Sequence, residues 1–408
     1  MFYFYIETKE MRYYLRFFVG ILMVLSSCKK DDTVCCSPLP GNETTPTLSI
    51  DGVAKAEGNG GTTVFSFTIK LSKASTKSVS VKVSSKDGFA TAPADYTAVD
   101  KTVTINPGET SAQLSVTIVA DDFKEGDDDF LLTLSEPSNA TIETAVGAGS
   151  ILNDDTKIQV VETGYTTPSS YAGKTLVWAD EFNGTGLNTS DWNYDVGDGC
   201  PNCGWGNNEL EYYTAGDNLT FQSGKMIIEA RKENKNGKSY TSSRLTTLNK
   251  RSFKFGRVDI RAKLPSGQGI WPAFWMLGDN FPTAGWPACG EIDIMELLGH
   301  QPSKVYSTIH YKAGTGSRNI EKSLVTASSL ADEFHVYSLV WETDKIKTMV
   351  DDKVIGEFSA ADVAGTYPFN EKFFFIFNIA VGGNWPGSPN ATTYFPQWMM
   401  VDYIRVFQ

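Results

Sequence analysis

Two stretches of alternating sequence divide the chain. From Thr47 to Asp155, apolar side chains recur at every second position in short runs: Val79, Val81 and Val83, then Leu114, Val116 and Ile118, then Phe130, Leu132 and Leu134. Alternation places each run on one face of a strand. Gly, Pro, Asn and Asp punctuate the runs at the spacing of a small sandwich. The second stretch, after Leu176, carries strand-like segments at 226–230, 258–264, 335–341 and 346–358, the last with a turn at Asp351-Asp352. A continuous apolar run at 373–377 suits a strand buried on both faces of a large two-sheet sandwich. No segment sustains a 3.6-residue period, so the expected fold class is all-β with helices minor.

One segment breaks the alternation. In Trp286-Pro-Ala-Cys-Gly-Glu-Ile-Asp-Ile-Met-Glu296, three carboxylates fall within six residues. Glu291 and Asp293 share a strand face, whereas Glu296 stands at an odd offset and joins them only if a β-bulge absorbs one residue at Ile294-Met295. Ile292, Ile294, Met295, Leu297 and Leu298 require a core on the opposite side. Three carboxylates on one face cannot line a packed interior, so that face is expected to be an open cleft.

Composition sharpens the division. The chain has 408 residues, 41% hydrophobic and 21% charged, with a net charge of −12. That length calls for two or three domains, and the charge argues against nucleic acid as a partner. Between Leu48 and Asp155 there are sixteen Asp and Glu against eight Lys and no Arg, while all nine tryptophans fall at or after Trp178. An acidic, Trp-free domain therefore precedes an aromatic-rich one. Paired carboxylates among many aromatics point to carbohydrate chemistry. Sugar rings stack on indoles, and glycosidic cleavage needs one carboxylate as nucleophile or base and one carboxylic acid as proton donor.

The remaining punctuation concerns export and cysteines. Arg12 and Arg16 precede an apolar segment, Phe17 to Leu25, too short to span a bilayer. It ends in Leu25-Ser-Ser-Cys28, which resembles a bacterial lipobox. Residues 1–27 are expected to be a lipoprotein signal peptide, Cys28 the lipidated residue and 28–46 a tether. An exported outer-membrane lipoprotein follows, held to the membrane by its lipid alone. Cys200-Pro-Asn-Cys203 lacks a second pair for zinc and suits a local disulfide, while Cys289 is left over.

Two family resemblances cover the rest. Ala56-Glu57-Gly58, Ala94-Asp95-Tyr96, Ala120-Asp121-Asp122, Glu125-Gly126-Asp127-Asp128 and Asn153-Asp154-Asp155 resemble the Calx-beta domain over 47–155. That resemblance implies an immunoglobulin-like β-sandwich with an acidic end. Glu57, Asp95, Asp122 and Asp155 are then either calcium ligands or the solvated rim of a spacer. Residues 156–173 read as a linker. The stretch 174–408 resembles glycoside hydrolase family 16, laminarinase-like endo-β-1,3-glucanases in particular. The resemblance is carried by Gly204-Trp-Gly-Asn-Asn-Glu-Leu-Glu-Tyr-Tyr213, Gly269-Ile-Trp-Pro-Ala-Phe-Trp-Met-Leu-Gly278, Gly290-Glu-Ile-Asp-Ile-Met-Glu296, Ser307-Thr-Ile-His-Tyr311, Ala380-Val-Gly-Gly-Asn-Trp-Pro-Gly387 and Val401-Asp-Tyr-Ile-Arg-Val-Phe407.

The family resemblance implies a concanavalin-like jelly roll and a retaining mechanism, with Glu291 as nucleophile, Asp293 assisting and Glu296 as acid/base. It places Asn208, Arg244, Trp271, Trp275, Trp286 and His310 at the groove, the tryptophans stacking on sugars or packing the core. Glu181 and Asp402, with a backbone oxygen near Gly224, resemble ligands of a structural calcium. No catalytic cofactor is called for, and a monomer acting on β-1,3-glucan is expected. Mixed-linkage glucan or an algal galactan is the alternative substrate, and a non-catalytic glucan binder the alternative class.

Overall fold

The computed structural model describes residues 44–408. The signal segment, Cys28 and most of the tether lie outside the described residues. Two large hydrophobic cores organise the described residues, and both belong to one unit, Pro46–Gln408.

In the first sandwich a four-stranded sheet runs in the order Ser111–Ala120, Gly61–Leu71, Thr47–Ile50, Thr141–Thr144. It faces a five-stranded sheet in the order Val53–Ala56, Val146–Leu152, Asp128–Ser138, Val79–Asp87, Asp100–Ile105. The three alternating runs meet in its core: Val79, Val81, Val83, Leu114, Val116, Ile118, Phe130, Leu132 and Leu134 are all buried. Tyr96 stacks on Phe130 with ring centroids 4.2 Å apart and anchors its hydroxyl on Asp87 at 2.6 Å. The polar end of a large core side chain is thereby satisfied.

The second sandwich is larger. One sheet orders Leu219–Gln222, Lys225–Ala230, Gln397–Phe407, Gly256–Lys263, His335–Glu342, Lys345–Val350 and Lys353–Ser359, with Leu176–Asp180 also pairing Gln397–Phe407. The other orders Asn193–Tyr194, Arg244–Thr246, Phe373–Val381, Ile270–Gly278, Glu291–Leu297, Lys304–Ala313 and Gly316–Val325. Phe373–Val381, which contains the continuous apolar run, is the third of the seven strands and is buried along its whole length. Its Phe377 packs on Phe274 at 4.6 Å and Trp192 at 5.2 Å. Helix among the described residues is confined to Phe281–Ala284 and a 3-10 turn, Ala360–Asp362.

Residues 156–173 do more than connect. Ile158 is buried with Ile227, Phe334 and Met400, and Tyr171 donates to Asp259 at 2.6 Å. The segment is a strap along the sheet that contains Lys225–Ala230, Gln397–Phe407 and Gly256–Lys263, because its apolar Ile158 and its Tyr171 hydroxyl find partners there. Direct contacts join the sandwiches as well: Lys124 pairs with the buried Glu229 at 2.6 Å, and the Gly126 N–H donates to the Tyr394 hydroxyl at 2.7 Å.

Truncating the central ring should be costly in a measurable way. Phe377→Ala is expected to lower the unfolding free energy of the second sandwich by about 3–5 kcal/mol. Tryptophan fluorescence through a urea titration reports this sandwich selectively, because no tryptophan precedes Trp178.

Candidate functional site

The strand Glu291–Leu297 pairs on one side with Ile270–Gly278 and on the other with Lys304–Ala313. On both sides the register shifts within it. Asp293 faces Thr308 but Glu296 faces Tyr306, and across the other edge Asp293 opposes Trp275 while Met295 opposes Phe274. The extra residue lies at Ile294-Met295, and both these side chains are buried in the core beside Ile292 and Leu297. The Ser307 hydroxyl donates to the Asp293 carbonyl at 2.7 Å, meeting a backbone acceptor beside the bulge. Glu291, Asp293 and Glu296 consequently share the outer face of the seven-stranded sheet.

That face is the floor of a cleft of about 920 Å³. Its walls include Trp205, Arg244, Trp271, Trp275, Trp286, His310 and Trp385. Two indoles hold the two glutamates: Trp286 Nε1 donates to Glu291 Oε2 at 2.9 Å, and Trp271 Nε1 to Glu296 Oε1 at 3.1 Å. His310 Nε2 stands 3.2 Å from Asp293 Oδ2 and 3.6 Å from Glu291 Oε1. Arg244 stacks over Trp205 and Trp275 at 4.1 and 4.9 Å while pairing with Asp195 at 2.9 Å.

Burial governs the protons here. Burial first, then the charge of Asp293, pushes Glu291 up to about 8, while His310, the Trp286 N–H and Arg244 pull against that rise. Burial likewise holds Asp293 well above the carboxylate range. Glu296 is likewise held well above the carboxylate range, with burial first and then the charges of Asp293 and Glu291. Ionising one member makes the next proton harder to lose, so the protons leave the set in steps. Glu291, with three groups favouring its anion, is the member suited to ionise first; Glu296 is suited to keep its proton.

Asn208 departs from its expected place. It adopts a left-handed φ of 59°, is exposed, and its amide donates to Asn384 at 2.8 Å. The turn carries its neighbour Asn207 into the cleft instead. Trp205 and Trp385 lie inside motifs visible in the sequence, yet only folding reveals that they reach the same cleft. Trp385 packs edge-on against Trp271 at 5.5 Å and against Tyr306 at 4.8 Å. Cys200 and Cys203 form a disulfide in the loop beside Trp205. Cys289 is buried, its thiol pushed up to about 11 by burial, so it packs as an apolar side chain next to the site.

The residues suggested for a structural calcium on the second sandwich do not fit one. Both Glu181 carboxylate oxygens chelate Arg405, at 2.7 and 2.8 Å. Asp402 is held by Arg261 at 2.7 Å and Lys225 at 2.9 Å. A dication would have to displace fixed cations. Gly224 serves the hairpin joining Leu219–Gln222 to Lys225–Ala230, where Ser223 and Gly224 both take positive φ.

The acidic end of the first sandwich is different. Burial and the surrounding charges of Glu125, Asp121, Asp155 and Asp154 push Glu57 up to about 7. Glu125 rises to about 7 and Asp128 to about 6, again through burial first. Asp155 Oδ2 and Asp128 Oδ1 are buried without a hydrogen-bond partner among the described residues. Glu57 and Asp155 thus belong to the cluster. Asp95 is engaged by the Thr91 N–H at 2.7 Å, and Asp122 lies outside, paired with Lys157 at 2.8 Å on the surface. Asp121, Glu125 and Asp128 join because the strand ends converge, which spacing alone does not reveal.

The contact between Trp286 and Glu291 offers a direct proton readout. Trp286 fluorescence, with Trp286→Phe as the blank, should titrate with a midpoint near 8. Arg244→Gln should move that midpoint to higher pH, since it removes a permanent charge that favours the Glu291 anion; an unchanged or lower midpoint would contradict this electrostatic picture.

Comparison with known proteins agrees with the geometry. The model of glycosyl hydrolases family 16 matches residues 202–405, and the Calx-beta domain model matches residues 52–162. The chain is 41% identical over 272 residues to glucan endo-1,3-beta-glucosidase A1 of Niallia circulans, covering 61% of this chain and 40% of that protein. It is 42% identical over 249 residues to a beta-glucanase of Rhodothermus marinus, covering 57% of this chain and 85% of that one. Among solved structures, the laminarinase catalytic domain of Thermotoga maritima superposes with a TM-score of 0.54 at 43% identity, covering 58% of this chain and 98% of the domain. With its bulged carboxylate strand set in a tryptophan-walled cleft, the chain belongs to glycosyl hydrolases family 16.

Proposed function

We propose that this protein hydrolyses β-1,3-glucan of the laminarin type, within the chain and with retention of anomeric configuration. The observation that carries this reading is the bulge, which brings Glu291, Asp293 and Glu296 to one face under five cleft tryptophans. Ionised Glu291 attacks the anomeric carbon while Glu296 donates its proton to the glycosidic oxygen, giving a glycosyl–enzyme ester and releasing the leaving chain. Glu296, now ionised, takes a proton from water, which attacks the same carbon and frees Glu291. Asp293, between them, raises Glu296 in the first step, and the Trp271 and Trp286 N–H groups fix the two carboxyls in position. The tryptophan walls offer apolar faces to glucose rings, with Arg244 and Asn207 available to hydroxyls.

The reading is tested by a reducing-end assay on laminarin, lichenan, agarose and carrageenan. Laminarin should be cleaved best. Glu291→Ala should lose activity by about 10⁴-fold or more, and Glu296→Gln by about 10²- to 10⁴-fold. Cleavage that survives Glu291→Ala would sink the assignment, and wild type that binds laminarin without cutting it would mark a glucan-binding protein instead.

Calcium is proposed for the first sandwich, on the two unpartnered buried oxygens of Asp155 and Asp128. Carboxyls raised on folding destabilise the ion-free domain as pH rises from the unfolded value of 4.5 towards about 7, because the folded state there binds more protons than the unfolded one. Without calcium its melting temperature should fall across that window. Millimolar calcium should reverse the fall, and Asp155→Asn should remove the rescue; a melting curve indifferent to calcium and chelator would leave a plain spacer. Anchoring through Cys28 at the outer membrane is proposed on the Leu25-Ser-Ser-Cys28 segment.

A further inference from the structure

At the cleft wall, with Glu209 itself among the lining residues, lies a second carboxyl pair that this chemistry does not use. Glu211 is completely buried, and Glu209 is 5% exposed. The Glu209 carboxyl lies close enough to raise the Glu211 proton affinity by charge and by hydrogen bonding. Three of the four oxygens also have a donor from elsewhere. Glu211 Oε2 accepts the Val381 N–H at 2.6 Å, Glu209 Oε1 the Asn207 amide at 3.0 Å, and Glu209 Oε2 the Tyr213 hydroxyl at 3.2 Å. Only Glu211 Oε1 has none among the described residues.

From the pair a hydrogen-bond chain runs to the cleft. The Tyr213 oxygen accepts from Asn378 Nδ2 at 3.0 Å, and Asn378 Oδ1 accepts from Trp275 Nε1 at 2.8 Å. Trp275 and Asn207 are both walls of the cleft. The chain is thus held at one end by the carboxyls and at the other by an indole that lines the cleft.

The surrounding charges do not neutralise two anions. Arg244 is committed to Asp195 and to the faces of Trp205 and Trp275. Lys238 reaches the Glu209 backbone carbonyl at 3.3 Å and stands 3.9 Å from Asp198. Two buried carboxylates in contact, with no cation between them, are prohibitive, whereas an acid donating to a carboxylate is a short, strong bond. A proton on Glu211 Oε1 meets the one oxygen that lacks a donor.

We propose that Glu209 and Glu211 share one proton, carried on Glu211, and act as positioning residues that set Trp275 and Asn207 for the bound glycan. The identity of that glycan rests on the proposed function above; the shared proton does not. Loss of the proton would set two anions against each other and loosen the Tyr213–Asn378–Trp275 chain. Burial first, then the charge of Glu209, keeps Glu211 protonated well above the ordinary carboxylate range, so the wall holds at neutral pH.

Three measurements on the full chain test this. Glu211→Gln retains a donor and an acceptor and cannot ionise, so KM for laminarin should stay within about twofold of wild type. Glu211→Ala should raise KM about tenfold or more with a smaller change in kcat. Near-UV circular dichroism of the tryptophans should match wild type in Glu211→Gln and differ in Glu211→Ala, with no substrate present. The infrared difference spectrum between wild type and Glu211→Gln at pH 7 should contain the carbonyl stretch of a protonated carboxyl. Absence of that stretch, or Glu211→Gln behaving like Glu211→Ala in KM and dichroism, would overturn the proposal. If the stretch and the dichroism behave as expected but laminarin is not cleaved, the pair stands and the proposed substrate falls.

Discussion

Everything at the cleft depends on one extra residue in one strand. Without the bulge at Ile294-Met295, Glu296 would point into the core that Ile292, Ile294 and Leu297 build, and the site would contain two carboxyls instead of three. The apolar side chains enforce the bulge as much as the glutamates benefit from it. Ile294 and Met295 are both fully buried, an arrangement that strict alternation forbids for neighbours. Returning either to the cleft face would expose a large apolar side chain and carry an acid inwards, so packing and chemistry favour the same register.

A strand that carries three carboxyls needs a rigid frame, and the sheet supplies one. Glu291–Leu297 is paired along both edges, and its neighbour Ile270–Gly278 is paired in turn to the wholly buried Phe373–Val381. The same elements deliver the second layer of control. Ile270–Gly278 carries Trp271 to Glu296 and Trp275 to Asn378, while Lys304–Ala313 carries His310 to Asp293. Charge that is costly to bury is therefore concentrated where fixed N–H groups and one histidine can moderate it.

The two sandwiches treat acidic residues in opposite ways. On the second, Glu181 and Asp402 are matched to Arg405, Arg261 and Lys225, which leaves little call for a metal. On the first, Glu57, Glu125, Asp128 and Asp155 crowd together with few cations, so protons or a dication must relieve them. The strap at 156–173 and the contacts of Lys124 and Gly126 join this strained end directly to the catalytic sandwich.

Period-two alternation was enough to place the elements and their faces. Val79, Val81 and Val83 face one core because period-two alternation leaves no other choice. The odd offset of Glu296 from Glu291 calls for a bulge if the two are to share a face. Tertiary structure decided what depends on distant segments meeting. Asn207 rather than Asn208 lines the cleft because a left-handed turn rotates the chain. Trp205 and Trp385 enter it from loops that are 180 residues apart. Glu181 and Asp402 are occupied by cations from other strands, and Glu209 and Glu211 are tied to Trp275 only through Tyr213 and the distant Asn378. Local alternation is written in neighbouring residues; the electrostatic fate of a carboxyl is set by what the rest of the chain brings to within a few ångströms of it.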